Sequence, residues 1–444
     1  MNALNPIRCA WVTWLGLTLV TGAEAPKPLA HFRHFADSSA THGAALGWAP
    51  FAPRAEIAPR CSVDAQGGRT GLGALKIEAG GNAAAFGGWR RSVAGVTGGR
   101  TYRLTAWYRA QDVPHERRSI TARLEWLDAK EKSVRPPDYA IDVLRDGAWT
   151  KVEYLTQAPD QARRVELQLS LGFTAQGQVW WDDIQLVEEP NPPQRVVRAV
   201  TVFHRPRDMR SSAESVASFC RLVEEAGPAK PDLICLPEGI TVVGTGKSYA
   251  DVSEPVPGPT TRTLGELAKK LRSYLVAGLY ERSGNVVYNT AVLVGRSGEL
   301  IGSYRKTHLP REEWEAGVTP GDAYPVFETD FGKVGLIICW DLHFPEPARA
   351  MALKGAEVLL LPIWGGSEVL ARARAIENHV FLVSSTYDMR SFIVDPTGAI
   401  LAEATKDQPV ASAELDLDRV IQQPWLGDMK TRTWKERRPD LPIE

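Results

Sequence analysis

Three side chains in this sequence are of the types that could form one reaction centre: Glu238 in "DLICLPEG", Lys306 in "GSYRKTHL" and Cys339 in "VGLIICWDLHFPE". A cysteine attacks as its thiolate, yet a free thiol stays mostly protonated near neutrality. It therefore needs a base within hydrogen-bond reach, and a glutamate in a closed pocket supplies one. A lysine beside it favours the thiolate and can hold the negative oxygen formed when sulfur attacks a carbonyl. Attack on an amide would expel ammonia or an amine, leave a thioester, and let water free the acid. The spacings are 306 − 238 = 68 and 339 − 306 = 33 residues, far beyond any local motif. A larger framework has to bring the three together.

Each of the three closes an apolar run of strand composition. From Arg195 onward such runs alternate with amphipathic stretches: "VVRAVTVFH", "PDLICLPE", "YLVAGLYE", "VVYNTAVLVG", "LIGSYRKTH", "VGLIIC", "EVLLLP" and "VFLVSST" read as strands. "SSAESVASFCRLVEEAG" reads as a helix with a capping box from Ser211 and Glu214, and Val216, Phe219, Cys220 and Val223 fall on its core face. "TRTLGELAKKL" is a second helix, and further helices start near Glu346 and Ser367. Alternation of this kind predicts an α/β layered domain, whose strand ends can converge on one sheet edge. Cys220 and Cys235 read as packing residues inside a helix and a strand.

In this order and these contexts the residues resemble the nitrilase superfamily of carbon–nitrogen hydrolases. The resemblance runs from Arg195 to about Leu417. It rests on "LPEG", "YRKTHL", "PGDAYPVFETDFGKVGLIICWDLHFPEPAR", "RARAIEN" and "IVDPTGAILAEA". It implies an αββα sandwich, commonly paired into homo-oligomers through helix packing, with no cofactor and no metal. It also implies a second glutamate before the "PG" of "REEWEAGVTPG"; Glu315 is assigned that role, with Glu313 next in order. "CWDLHFPE" follows the amidase and carbamoylase pattern C-x-D-x-x-F-P-E, whereas nitrilases usually place Glu after "CW". The resemblance thus implies a linear amide or N-carbamoyl substrate. The Trp340 backbone N–H is an expected oxyanion donor, where a strand turns sharply. His343 and Trp364 are expected to line the substrate pocket. A papain-like reading through His308, His343 or His379 lacks the local sequence of such proteases and leaves Glu238 and Lys306 without a role.

Upstream, "EEPNPPQ" has three prolines in seven residues and reads as a stiff linker, placed at 190–195. Before it, residues 30–189 hold short runs of strand composition with Gly-rich turns, including "TYRLTAWYRA", "SITARLEWLD", "RVELQLSLGF" and "VWWDDIQLVE". Val165, Leu167, Leu169 and Leu171 fall on one strand face. This predicts an all-β antiparallel sandwich, similar to the jelly-roll family of galactose-binding-like and carbohydrate-binding modules. Trp126, Trp180 and Trp181 are the candidates for stacking on a glycan, although a tryptophan in a sandwich more often packs in the core or between the sheets. The hydrolase domain is placed at 196–420 and a C-terminal tail at 421–444.

The N-terminus joins Arg8, the apolar run Cys9 to Val20 and "AEA" at Ala23 to Ala25, the pattern of a secretory signal peptide over 1–25, and so of an exported protein. With 52 basic and 53 acidic residues the net charge is -1, and no basic stripe predicts nucleic acid as a partner. Four cysteines after the signal, widely spread, make no disulfide framework, and no zinc, P-loop or dinucleotide motif occurs. Two other function classes stand beside the hydrolase: an exported glycan-binding protein with a silent hydrolase domain, and a nitrilase or acyltransferase on the same three residues.

Overall fold

The computed structural model describes residues 26–35, 47–69, 71–228 and 230–441. The signal-peptide segment lies outside the described residues. Internal contacts group the chain into two units: residues through Pro192 with those from Arg438 onward, and Pro193–Arg437.

The first unit is built from two antiparallel sheets. One runs Arg60–Asp64, Ala74–Glu78, Gln178–Glu189, Thr101–Gln111, Trp149–Gln157 and Asp142–Asp146, with Lys27–Phe32 also on Gln178–Glu189. The other runs Ala49–Phe51, Phe86–Ala94, Arg164–Gly172, Ile120–Leu127 and Asp138–Tyr139. Strand periodicity decides what is inside. Val165, Leu167, Leu169 and Leu171 are buried together, facing Tyr102, Leu104 and Ile184 in one core cluster. Each such side chain contributes about 1.5–3 kcal/mol on leaving water.

The same alternation decides between packing and glycan stacking for the tryptophans. In Ile120–Leu127 the buried positions are Ile120, Ala122, Leu124 and Trp126. Trp126 is 0% exposed, and its indole N–H donates to Asp138 Oδ2 at 2.7 Å. Trp181 is equally buried, and Trp180, nearly so, donates to Asp64 Oδ2 at 2.8 Å. None of the three offers a face to a sugar ring.

The second unit has two six-stranded sheets between helical layers. The first sheet is ordered Leu300–Arg305, Val286–Val294, Tyr274–Ser283, Leu233–Cys235, Val196–Val202 and Val410–Asp416. The second is ordered Val326–Glu328, Lys333–Leu336, Val358–Pro362, Phe381–Ser385, Ser391–Val394 and Ile400–Ala404. Alternate residues of the buried strands face opposite ways. Leu233 and Cys235 join Leu336, Val358 and Val383 in the core between the sheets. Ile234 instead packs with Val216, Phe219, Leu264 and Leu267 of the helices Ser212–Ala226 and Pro259–Leu271. Helices Pro345–Leu353 and Glu368–Asn378 add Ala348, Met351, Ala371 and Ala375 to the inter-sheet cluster's far side. Cys235 is a buried filler and Cys220 is partly buried against the helical core.

Only half of the Ser211 capping box forms. The Ser211 side chain accepts from the Glu214 amide at 3.2 Å, while Glu214 turns outward to the Arg210 amide and guanidinium, which offer charge-assisted bonds. The residues assigned to a C-terminal tail include the helix Met429–Glu436, capped by Asp428 on the Lys430 amide and tied to His379 through Thr433 at 2.9 Å.

Candidate active site

Glu238, Lys306 and Cys339 each stand just past a strand of the second unit. Leu233–Cys235 runs into Pro237 and Glu238, Leu300–Arg305 into Lys306, and Lys333–Leu336 into Ile338 and Cys339. Gly278 on the neighbouring strand makes room for the first of these. A side chain there would put its first carbon 2.6 Å from the Glu238 Cα, against backbone. The Glu238 main chain is also held by the Tyr387 hydroxyl, which donates to its carbonyl at 2.6 Å.

The side chains meet in a closed, charged cluster. Lys306 is 1% exposed, and its Nζ lies 2.8 Å from Glu238 Oε1 and 2.9 Å from Glu313 Oε2. Asn289 Nδ2 bridges the same two carboxylates, donating to Glu238 Oε1 at 2.6 Å and Glu313 Oε1 at 2.5 Å. Tyr280 adds a hydroxyl on Glu313 Oε1 at 2.9 Å, and the Trp364 amide donates to Glu238 Oε2 at 2.9 Å. Buried charges survive only when paired and hydrogen-bonded in this way.

Electrostatics assign the protons. Burial opposes charge on Lys306, but Glu238, Cys339 and Glu313 outweigh it and hold the ammonium well above the usual lysine range. Burial pushes Glu313 up, Lys306 draws it back, and Glu238 pushes it up further. Cys339 is pushed up to about 12, by burial first and then by the Glu238 charge, with Lys306 opposing. At rest Cys339 is therefore a protonated thiol. The lysine restrains this rise and does not reverse it, so the reaction depends on a base that takes the proton during attack.

Cys339 sits at φ +44°, in the left-handed region, at the start of the 3₁₀ turn Cys339–His343. For a residue with a Cβ this costs about 1–2 kcal/mol. Its Sγ points toward the Gly365 carbonyl at 4.0 Å. Such an elbow lifts the thiol off the end of its strand and turns following backbone N–H groups toward the same side.

The carboxylate that joins Glu238 at Lys306 is Glu313, where the sequence pointed to Glu315. Glu313 is 3% exposed within the cluster, whereas the Glu315 side chain is 67% exposed beside Arg311. Both lie in the five-residue helix Arg311–Glu315, where two positions separate nearly opposite faces. Trp340 is exposed, its ring 4.2 Å from that of His343. Trp364 packs on Tyr387 at 4.8 Å and borders Gly239, so it stands beside Glu238. His308 is bonded to Asp341 and His379 to Thr433, and neither is arranged as a cysteine's partner.

Comparison with known proteins gives the family. The family model described as carbon-nitrogen hydrolase matches residues 210–424. Omega-amidase NIT2 of Xenopus tropicalis is 31% identical over 260 residues, covering 52% of this chain and 91% of the relative. The chain belongs to the carbon–nitrogen hydrolase family. A nitrilase of Pyrococcus abyssi is 34% identical over 241 residues, 50% of this chain and 89% of the relative. A carbon–nitrogen hydrolase structure from Helicobacter pylori G27 is 29% identical, with a TM-score of 0.43 over 51% of this chain and 90% of that one. The carbon–nitrogen hydrolase unit is thus an enzyme acting on non-peptide C–N bonds. Sequence reading missed Asn289, Tyr280 and Tyr387. A polar Asn289 in the apolar run "VVYNTAVLV" was the available signal.

Proposed function

We propose that this hydrolase cleaves a linear amide or N-carbamoyl compound through a thioester on Cys339. The observation that carries the reading is the buried Lys306 ammonium held between Glu238 and Glu313, close enough to Cys339 for Glu238 and Lys306 to act on its thiol. Glu238 takes the thiol proton as Sγ bonds to the carbonyl carbon. The oxygen gains negative charge, which Lys306 and the Trp340 backbone N–H stabilise. Collapse breaks the C–N bond, and the leaving amine takes the proton from Glu238. Water then attacks the thioester with Glu238 again as base, freeing the acid and restoring the thiol. Glu313 and Asn289 fix Glu238 and Lys306 in register, and His343 and Trp364 line the approach. Relatives named as amidases and the "CWDLHFPE" pattern favour amides over nitriles. Ammonia release should appear with amides or N-carbamoyl amino acids and vanish in Cys339→Ala. Turnover confined to nitriles, or persisting in that variant, would overturn the reading.

For the first unit we propose a jelly-roll carbohydrate-binding module on an exported, oligomeric enzyme. Its support is the antiparallel two-sheet build and the pair Trp107 and Trp149, partly exposed beside the guanidiniums of Arg69 (3.8 Å from the Trp107 ring) and Arg109 (5.6 Å from that of Trp149). Retention on a glycan array that is lost in Trp107→Ala supports it. No retention on any glycan removes it.

A further inference from the structure

The pattern "CWDLHFPE" contains a carboxylate that the reaction scheme leaves without work. Asp341 is buried two residues after the nucleophile, where an uncompensated acid is costly. Its Oδ2 accepts from the Ile338 amide at 3.0 Å and from the Tyr304 hydroxyl at 2.8 Å. Its Oδ1 accepts from the His308 amide at 3.0 Å, the Thr307 hydroxyl at 3.1 Å and His308 Nδ1 at 3.1 Å. These donors come from two segments. Ile338 precedes Cys339 in its left-handed turn, while Tyr304, Thr307 and His308 bracket Lys306.

We infer that Asp341 is a positioning residue that fixes the Cys339 elbow against the Lys306 segment, so that thiol and ammonium face the same reacting carbonyl. The inference rests on Cys339 and Lys306 acting as proposed. Both oxygens face backbone N–H donors, one on each segment. A group that only accepts is therefore needed. An asparagine would direct its NH₂ at the Ile338 amide or at the His308 amide whichever way it turned, and would release one of the two segments. The ring of Phe344, stacked 4.0 Å from His308, closes the same junction with an apolar contact that an amide would not repair.

Asp395 gives a control away from the site, although it also pairs with Arg419 at 3.1 Å. It is also buried in a turn, accepting from the Thr397 and Ala399 amides at 2.8 and 3.0 Å and from the Thr397 hydroxyl at 2.6 Å. The test measures ammonia-release kinetics and the rate at which iodoacetamide alkylates Cys339 at pH 9, in the full chain. Asp341→Asn should lower kcat at least about 30-fold with KM within about threefold, and should slow alkylation about fivefold or more as Lys306 recedes. Asp395→Asn should leave both readouts within twofold while lowering the thermal midpoint. Should Asp341→Asn fail to fold, Thr307→Val removes one donor and should lower kcat about 3–10-fold with slower alkylation. Unchanged kcat, or alkylation that speeds up as a merely loosened site allows, would overturn the inference. Wild-type turnover that survives Cys339→Ala would instead overturn the reading beneath it, and the alkylation rates would still decide on Asp341.

Discussion

Each unit has an ion cluster that looks alike on paper and differs in what water can reach. In the first, Arg103 forks onto Glu189 at 2.7 and 3.0 Å on an outer sheet face, with about a third of the arginine side chain exposed. In the second, Lys306 sits between Glu238 and Glu313 with almost none of it exposed. The first pair is screened, and such pairs contribute about 0–1 kcal/mol. The second cannot shed its charge into water, so every group in it controls the protonation of the next. Burial, not pairing, sets the two clusters apart.

Removing one member of each should expose the contrast. Lys306→Met leaves two buried carboxylates without their ammonium, and should cost about 3–5 kcal/mol by denaturant unfolding and at least about 10³-fold in kcat/KM. Arg103→Ala should shift unfolding by no more than about 1 kcal/mol. Equal costs would break the distinction.

The tryptophans sharpen it from the other side. Trp126→Ala empties a fully enclosed site and removes one of the donors to Asp138, so the first unit should lose about 3–5 kcal/mol. Trp107→Ala, on the outer face, should lose less than about 1 kcal/mol. Differential scanning calorimetry of the two variants checks both.

Smaller effects divide neighbours on one helix. Glu313→Gln should lower kcat/KM roughly 10–10³-fold, while Glu315→Gln should stay within about twofold. Steady-state ammonia release decides, and a reversed order would restore Glu315.

A last effect is on stability as pH rises. Cys235 and Cys339 are raised from the ordinary 9.0 to about 12, in each case by burial first. The unfolded chain sheds these protons near pH 9, and the folded chain keeps them until about pH 12. Their stabilisation is therefore complete below pH 9 and is lost as pH rises between those values, at up to about 1.4 kcal/mol per pH unit per thiol. Urea unfolding from pH 8 to 10.5 should show the decline, and Cys235→Ala should make it shallower. A flat profile would contradict the burial argument.

The residues that were legible share one property: each stands where an apolar strand stops. Glu238, Lys306 and Cys339 could be read from that position, and the two-sheet α/β frame from the alternation of strands and helices. Glu313 could not, because Arg311–Glu315 is barely more than one turn and presents too few apolar positions to show its buried side. Asn289 was hidden differently, as a polar residue whose partners come from Glu238 and Glu313, 51 and 24 positions away. Trp126 was open to two readings. It shares parity with Ile120, Ala122 and Leu124, which places it on the core face and decides for packing over sugar stacking. Asp341 was visible as a pattern letter, while its five donors become apparent only when two distant segments lie side by side.

The central claim is that Cys339 becomes covalently acylated with Glu238 as its base. Rapid acid quench during turnover, followed by mass analysis of the peptide that carries Cys339, tests it most directly. The account predicts an added mass equal to the acyl part of the substrate, on Cys339 alone, absent in Cys339→Ala and formed far more slowly in Glu238→Gln. Turnover with no adduct on Cys339, or an adduct that forms at the wild-type rate in Glu238→Gln, would contradict it.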